Sequence, residues 1–229
     1  MLTNINYNSD NRDKWVINEL SILEPGIKII DCGAGECKYK QYCSHLDYVS
    51  QDFCEYKGNE QNTGLQTGVW DTSKIDIVSD ITCIPVENES FDVVLCTEVF
   101  EHIPHPELAL KEFYRILKKG GKLILTAPFA SLTHFAPYHY CTGFNKYWYE
   151  YHFKENNFEI NKIEANGNYY RFMIQEMYRL MGNHRCRYNI FMRIGGKLVL
   201  LYLNKQIQNN NEEFADLCCF GYHIVAKKG

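Results

Sequence analysis

Apolar positions along the chain recur in two rhythms. Trp15, Val16, Leu20, Ile22 and Leu23 follow a helical period over residues 11–23, and Pro25-Gly26 closes that segment. Short apolar runs then appear at Ile27–Ile30, Tyr48–Gln51, Ile75–Val78, Val93–Cys96 and Lys122–Thr126, the pattern of strands buried on both faces. The first three lead to an aspartate: Asp31, Asp52 and Asp80. A polar helix is predicted over Glu36–Leu46, and Phe53–Lys74, rich in Gly, Asn, Gln and Thr, reads as a long loop. The best-marked helix covers Pro106–Lys118, with proline in its first turn, an apolar stripe of Leu110, Phe113, Ile116 and Leu117, and Gly120-Gly121 as its stop. A helix over Tyr147–Asn156 and strands over Phe158–Glu164 and Phe220–Ala226 complete the pattern, with helical spacing at Tyr169–Met181 and Tyr188–Ile207 between the last two strands. This alternation predicts an α/β domain with a largely parallel sheet: five βα units, then two strands joined through a helical insertion at 168–209.

Composition narrows the class. The chain has 229 residues, 45% hydrophobic and 23% charged, enough for a core and read as one domain, 1–229. Lys and Arg number 24 against 28 Asp and Glu, a net charge of -4 that argues against a nucleic-acid partner. The longest apolar run, Leu198–Leu203, is far below the roughly 18 residues of a membrane span, so no membrane partner is expected. The first residues lack an apolar signal core, and the ten cysteines form no C-x-x-C pair. Both point to a reduced, cytoplasmic protein without a zinc ribbon or disulfide framework.

The run Asp31-Cys32-Gly33-Ala34-Gly35 ends a strand in a carboxylate and two glycines, which permit a tight turn and close approach to the main chain. A dinucleotide fingerprint needs a small residue where Lys38 stands, and Asp31 repels a pyrophosphate but suits a cationic ligand; NAD is therefore not expected. Asp52, 21 positions beyond Asp31, lies at the usual distance for a carboxylate that accepts ribose hydroxyls, and Asp80 is placed for an exocyclic amine. DCGAG at 31–35, YVSQD at 48–52, the stretch 79–103 and EFYRILKKGGKLILTAPF at 112–129 together resemble the class I S-adenosylmethionine-dependent methyltransferases, in order and spacing. The resemblance implies a Rossmann-like seven-stranded sheet with its last strand antiparallel and helices on both faces. It also implies S-adenosylmethionine as cofactor and S-adenosylhomocysteine as product. Asp31, Gly33 and Gly35 are then expected around the methionine part, Asp52 on the ribose, Gln51 or Phe53 against the adenine, Asp80 and Ile81 at the adenine edge, and Thr97 under the sulfonium.

Glu98-Val99-Phe100-Glu101-His102 follows the fourth strand, and on a helical turn Glu98 and Glu101 share a face beside His102. Such groups can bind a divalent cation, act as a general base, or merely brace the turn. E-x-x-E-H is similar to the metal motif of small-RNA 2′-O-methyltransferases and ubiquinone-pathway O-methyltransferases, and also to metal-free relatives. The metal-free reading is the expectation, with Glu98, Glu101, His102 and His139 as the metal candidates and His139, His102 or Glu98 as base. His134 and His139 lie in an aromatic stretch, 131–153, suited to a pocket wall; taken singly, each is expected only to pack or hydrogen-bond, with His139 the first choice for a role. The leading function is methyl transfer to an oxygen of a small molecule such as a sugar, phosphorylated compound or secondary metabolite, with nitrogen the weaker choice. The alternatives are a metal-dependent RNA 2′-O-methyltransferase, supported by the basic cluster Arg179, His184, Arg185, Arg187 and Arg193, and a non-catalytic S-adenosylmethionine-binding protein. The insertion is expected to cover the acceptor side or to pair two copies in a homodimer.

Overall fold

The computed structural model describes residues 6–58, 64–182, 190–209 and 214–229. In chain order the elements are α1 (Tyr7–Ser21), β1 (Lys28–Cys32), β2 (Asp47–Asp52), β3 (Ile77–Val78), β4 (Phe91–Thr97), α2 (Pro106–Ile116) and β5 (Leu117–Pro128). They are followed by α3 (Lys146–Glu155), β6 (Phe158–Asn166), α4 (Tyr169–Gly182), α5 (Ile190–Asn209) and β7 (Gly221–Lys228). The strands form one sheet in the order β3-β2-β1-β4-β5-β7-β6. β1 pairs in parallel with β2 and β4, β4 with β5, and β7 runs antiparallel to β5 with Lys122 opposite Lys227 and Thr126 opposite His223.

Alternation along the central strands explains their burial. Ile29, Val93, Leu95 and Ile124 join Val16, Leu20 and Leu23 in one cluster on the α1 side. Their neighbours Ile30, Val94, Leu123 and Leu125 point the other way and are equally inaccessible to solvent, so both faces are covered. α2 starts at Pro106 and buries Leu110, Phe113 and Ile116. From it Glu112 accepts the Ile84 amide at 2.6 Å while Arg115 donates to Glu112 and to the carbonyls of Ile84 and Val86. This clamp fastens the irregular β3–β4 connection. Arg115→Ala is expected to cost about 2–3 kcal/mol in urea unfolding, because it strands the buried Glu112 carboxylate.

The structure departs from the sequence pattern in three places. No α-helix follows β1: residues 34–46 form successive turns with bonds three residues apart, Cys37 N to Ala34 O, Lys40 N to Cys37 O, Cys43 N to Lys40 O, and a 3-10 turn at Lys40–Tyr42. Cys37 takes a left-handed φ of 55°, which an α-helix cannot contain. Tyr39, Cys43 and Leu46 do fall at helical spacing, yet they pack against the sheet from these turns, Tyr39 and Cys43 buried and Leu46 partly so. Among the described residues, α2 and α3 are the α-helical connections within β1–β6, not the five βα units expected. α2 also stops at Ile116 and the chain turns directly into a twelve-residue β5, with a register shift opposite Phe91–Val93 that absorbs Lys118–Gly121. Finally, β3 is reduced to two residues.

Two compact units divide the chain. One comprises Lys14–Glu164 and Gly221–Gly229 and holds the glycine turn and the acidic-histidine segment; the other comprises Met1–Asp13 and Ala165–Phe220. In the second, α4 and α5 meet through Ile174, Leu200, Leu203 and Ile207, and Arg171 lies 3.9 Å over the Tyr7 ring. The expected helix start at Tyr188 and the basic residues His184, Arg185 and Arg187 fall outside the described residues. Among the described residues no helix is long and apolar enough to cross a membrane.

Candidate active site

β1, β2 and β4 end side by side, and the turn after β1 is pinned to the end of β2. The Gly33 and Ala34 amides both donate to the Gln51 carbonyl (2.9 and 3.0 Å), and the Gly35 amide donates to Asp52 Oδ2 at 2.9 Å. The other Asp52 oxygen accepts the Cys54 amide at 2.9 Å. With these three amides engaged and no helix beginning behind them, the turn offers no free N–H cradle of the kind that holds a pyrophosphate. What it offers instead is negative. Asp31 is buried, with Oδ2 accepting from Tyr48 Oη at 2.7 Å and Oδ1 without a partner. Burial pushes its pKa up to about 7, against the Tyr48 hydrogen bond, with the Asp52 charge adding to the rise. A buried carboxylate with an open oxygen is a ready partner for an ammonium group, and these residues fit the amino-acid end of S-adenosylmethionine.

Both glycines are required by space as well as by torsion. Gly33 has φ 74°, and a Cβ there would fall inside the contact envelope of both Val99 methyl groups. Gly35 has φ 53°, and its Cβ would stand 2.5 Å from the Trp70 ring. Gly33→Ala is expected to cost about 1–3 kcal/mol of stability and to weaken S-adenosylmethionine binding, read by thermal melting and titration calorimetry.

The remaining expected cofactor contacts are distributed unevenly. Gln51 is buried and its amide nitrogen donates to the Ser79 carbonyl at 2.7 Å, bracing β2 to the chain after β3. Phe53 is half-buried and meets Tyr138 edge-on at 5.1 Å, so of the two it is the ring available to an adenine. Asp80 is exposed and caps its own turn, accepting from the Thr82 amide and hydroxyl, both at 2.7 Å. Ile81 beside it is buried, and Thr97 ends β4 opposite Thr126.

The acidic-histidine segment is arranged differently from a helical turn. Glu98 takes a left-handed φ of 54° ahead of the 3-10 turn Phe100–His102. This sends it back toward β5, where its amide donates to the Thr126 carbonyl and its carboxylate accepts from the Thr126 hydroxyl at 3.0 Å. Glu101 instead points into the protein with 1% exposure, and two imidazoles converge on its Oε1: His102 Nε2 at 3.5 Å and His134 Nε2 at 3.6 Å. His139 completes the group, its ring 4.8 Å from that of His134 and its Nε2 3.1 Å from Ser131 Oγ. His134, not among the expected site residues, thus belongs to the centre, while Glu98 stands behind it. In the two histidines nearest Glu101, Nδ1 faces a backbone carbonyl, Tyr138 O for His102 and Leu132 O for His134 (2.8 Å). A carbonyl only accepts, so each Nδ1 carries a proton and each neutral ring presents its Nε2 lone pair toward Glu101. Burial drives the His102 pKa down to about 4. His134 is lowered by burial but raised further by Glu101, for a net rise; Glu101 itself is raised by burial, against the pull of His134. One oxygen and two nitrogens, all within 4.8 Å of one another, can share a proton or hold a divalent cation.

A roof of aromatic residues lies beside this centre. The loop after β2 and the loop after β5 are laced together by Leu65 N to Thr133 O (2.9 Å) and Phe135 N to Leu65 O (3.1 Å). Tyr56 stacks on Phe135 at 3.7 Å, Trp70 meets Phe135 at 5.0 Å, and His102 lies 4.9 Å from the same ring. Phe135, at φ 54°, is held left-handed by this lacing.

The strand order with β7 antiparallel to β5, and the carboxylate-glycine turn at the carboxyl edge, define a methyltransferase fold of the Rossmann-like kind. Residues 30–125 match the family described as a methyltransferase domain. A ubiquinone biosynthesis O-methyltransferase of Xanthomonas oryzae pv. oryzae is 36% identical over 63 residues, 28% of this chain and 26% of that protein. An uncharacterised methyltransferase-like protein of Schizosaccharomyces pombe is 52% identical over 117 residues, 48% of this chain and 41% of that protein. The chain thus aligns with less than half the length of these curated relatives. A SAM-dependent methyltransferase structure from Archaeoglobus fulgidus superposes with a TM-score of 0.58 at 16% identity, covering 96% of this chain and 93% of that one, a likeness of fold.

Proposed function

We propose that the protein methylates a hydroxyl oxygen of a small molecule with an apolar, flat body, using Glu101 and His134 as the proton-accepting pair. The observation that carries this reading is the convergence of two imidazole Nε2 atoms on the buried Glu101 beneath the Tyr56–Phe135 roof. S-adenosylmethionine, when bound, supplies an electrophilic methyl; the residues of this chain orient the acceptor, exclude water and take up its proton. His134 Nε2 accepts the hydroxyl proton, its Nδ1 stays fixed on the Leu132 carbonyl, and Glu101 stabilises the imidazolium. His102 is too weak a base for that task and fixes the Tyr138 carbonyl and its loop instead. Similarity to a ubiquinone O-methyltransferase supports oxygen over nitrogen as the acceptor atom.

A second reading is favoured by the same tautomers. Imidazoles whose Nδ1–H is tied to a carbonyl and whose Nε2 faces a carboxylate are arranged as metal-ligating histidines usually are. A divalent cation held by Glu101, His102 and His134 would orient the acceptor oxygen and favour its ionised form. The deciding experiment measures S-adenosylhomocysteine release with phenolic, sugar and phosphorylated acceptors, before and after chelation and with magnesium or manganese restored. Activity indifferent to chelator supports the proton-accepting pair; loss and recovery with metal moves the chemistry to the cation. No turnover of any hydroxyl acceptor, with turnover of an amine, refutes O-methylation.

A further inference from the structure

The acidic balance of the chain conceals an opposite one. Residues 169–209 hold seven Lys and Arg against a single acid, Glu176, while all other residues hold 17 against 27. Within that segment α5, 20 residues and roughly 30 Å long, contains Arg193, Lys197 and Lys205 and no acid. Its inner face, Leu200, Leu203 and Ile207, is buried against α4. At the α-helical repeat, Phe191, Ile194, Leu198 and Leu201 fall on the opposite side, all four exposed, Phe191 to 82%. Lys197 sits on the border between the two faces, Arg193 falls within about 20° of Leu200 on the α4 side, and Lys205 continues the outer stripe four residues beyond Leu201. A helix apolar on two sides has one more surface to cover than α4 supplies.

We propose that α5 lies in the surface of an anionic lipid bilayer, its outer face among the acyl chains and its cations at the level of the phosphates. Charge selects this occupant. A second copy would set one strongly basic segment against another, whereas an anionic headgroup layer complements it. Arg and Lys stems reach from the border of an apolar face to headgroups while their aliphatic parts remain covered. The expectation of no membrane partner rested on span length, and a helix lying in the interface does not need to span.

Flotation of the full chain with vesicles tests this, using phosphatidylcholine alone and phosphatidylcholine mixed with phosphatidylglycerol. Binding to the anionic vesicles only, weakened by salt, is expected. Arg193→Ser with Lys197→Ser should lower partitioning about 25-fold, and Phe191→Ser with Leu198→Ser at least about tenfold. Circular dichroism and melting of each variant verify folding; if the apolar pair fails to fold, the charge pair and the salt series decide. Anionic binding unchanged in the variants, or equal binding to neutral vesicles, overturns the proposal. So does absence of vesicle binding, whether the chain sediments as a monomer or as a dimer lost in the Phe191→Ser, Leu198→Ser variant.

Discussion

Glu101→Ala is expected to lose methyl transfer by about two to four orders of magnitude while retaining S-adenosylmethionine affinity within a few-fold. The carboxylate is the point on which His102 and His134 converge, and it is 1% exposed, so no solvent group replaces it. His134→Ala should fall nearly as far. His102→Ala should fall less if a proton is shared, and equally if a cation is held, because removal of any one ligand opens the coordination shell. Glu98→Gln keeps a hydrogen-bond acceptor for the Thr126 hydroxyl and is expected to cost under tenfold. Single-turnover rates alongside calorimetric cofactor affinity separate these outcomes, since a variant that merely unfolds loses both. Retained turnover in Glu101→Ala removes the centre from the reaction.

Asp31 produces the second large effect, and its sign is opposite for stability and for binding. Its folded pKa of about 7 lies above the roughly 3.9 of an unfolded aspartate. Between those values the folded state holds a proton that the unfolded state has released, so stability falls as pH rises from about 4 to about 7 and is level beyond. The cost at pH 8 is of the order of 4 kcal/mol, and Asp31→Asn should recover a large part of it in denaturant titrations above pH 7. Binding runs the other way. The ammonium of S-adenosylmethionine needs the carboxylate form, so affinity should rise about 50-fold from pH 5 to pH 7 and then flatten. In Asp31→Asn the affinity is low and independent of pH across that range. A wild-type affinity that is flat from pH 5 to pH 8 removes Asp31 from the amino-acid end of the cofactor.

Much of this framework is legible in the sequence, because strand ends and glycine turns are local signals. Asp31 and Asp52 stand where the apolar runs stop, and the structure puts both at the carboxyl edge with the glycine turn between them. The centre is less legible. Glu98 and Glu101 share a face only if the chain between them is helical, and the left-handed torsion at Glu98 breaks that condition. His134 has no signal of its own: it arrives through backbone pairing with Leu65, a residue 69 positions earlier in a loop without periodicity. Trp70, packed on Gly35, is hidden for the same reason. The absent helix after β1 has a different cause: Tyr39, Cys43 and Leu46 stand at helical spacing, but the left-handed torsion at Cys37 interrupts a stretch of only eleven residues, too short to hold an α-helix by itself.

The lacing of the two loops couples access to chemistry. His134 lies between the two residues whose main chains are bonded to Leu65, Thr133 by its carbonyl and Phe135 by its amide. Any outward swing of the 64–66 segment that breaks those bonds also frees the backbone on either side of the histidine, and with it the Glu101–His134 contact. A proton acceptor at His134, as proposed above, would thus be assembled only while these two loops stay laced.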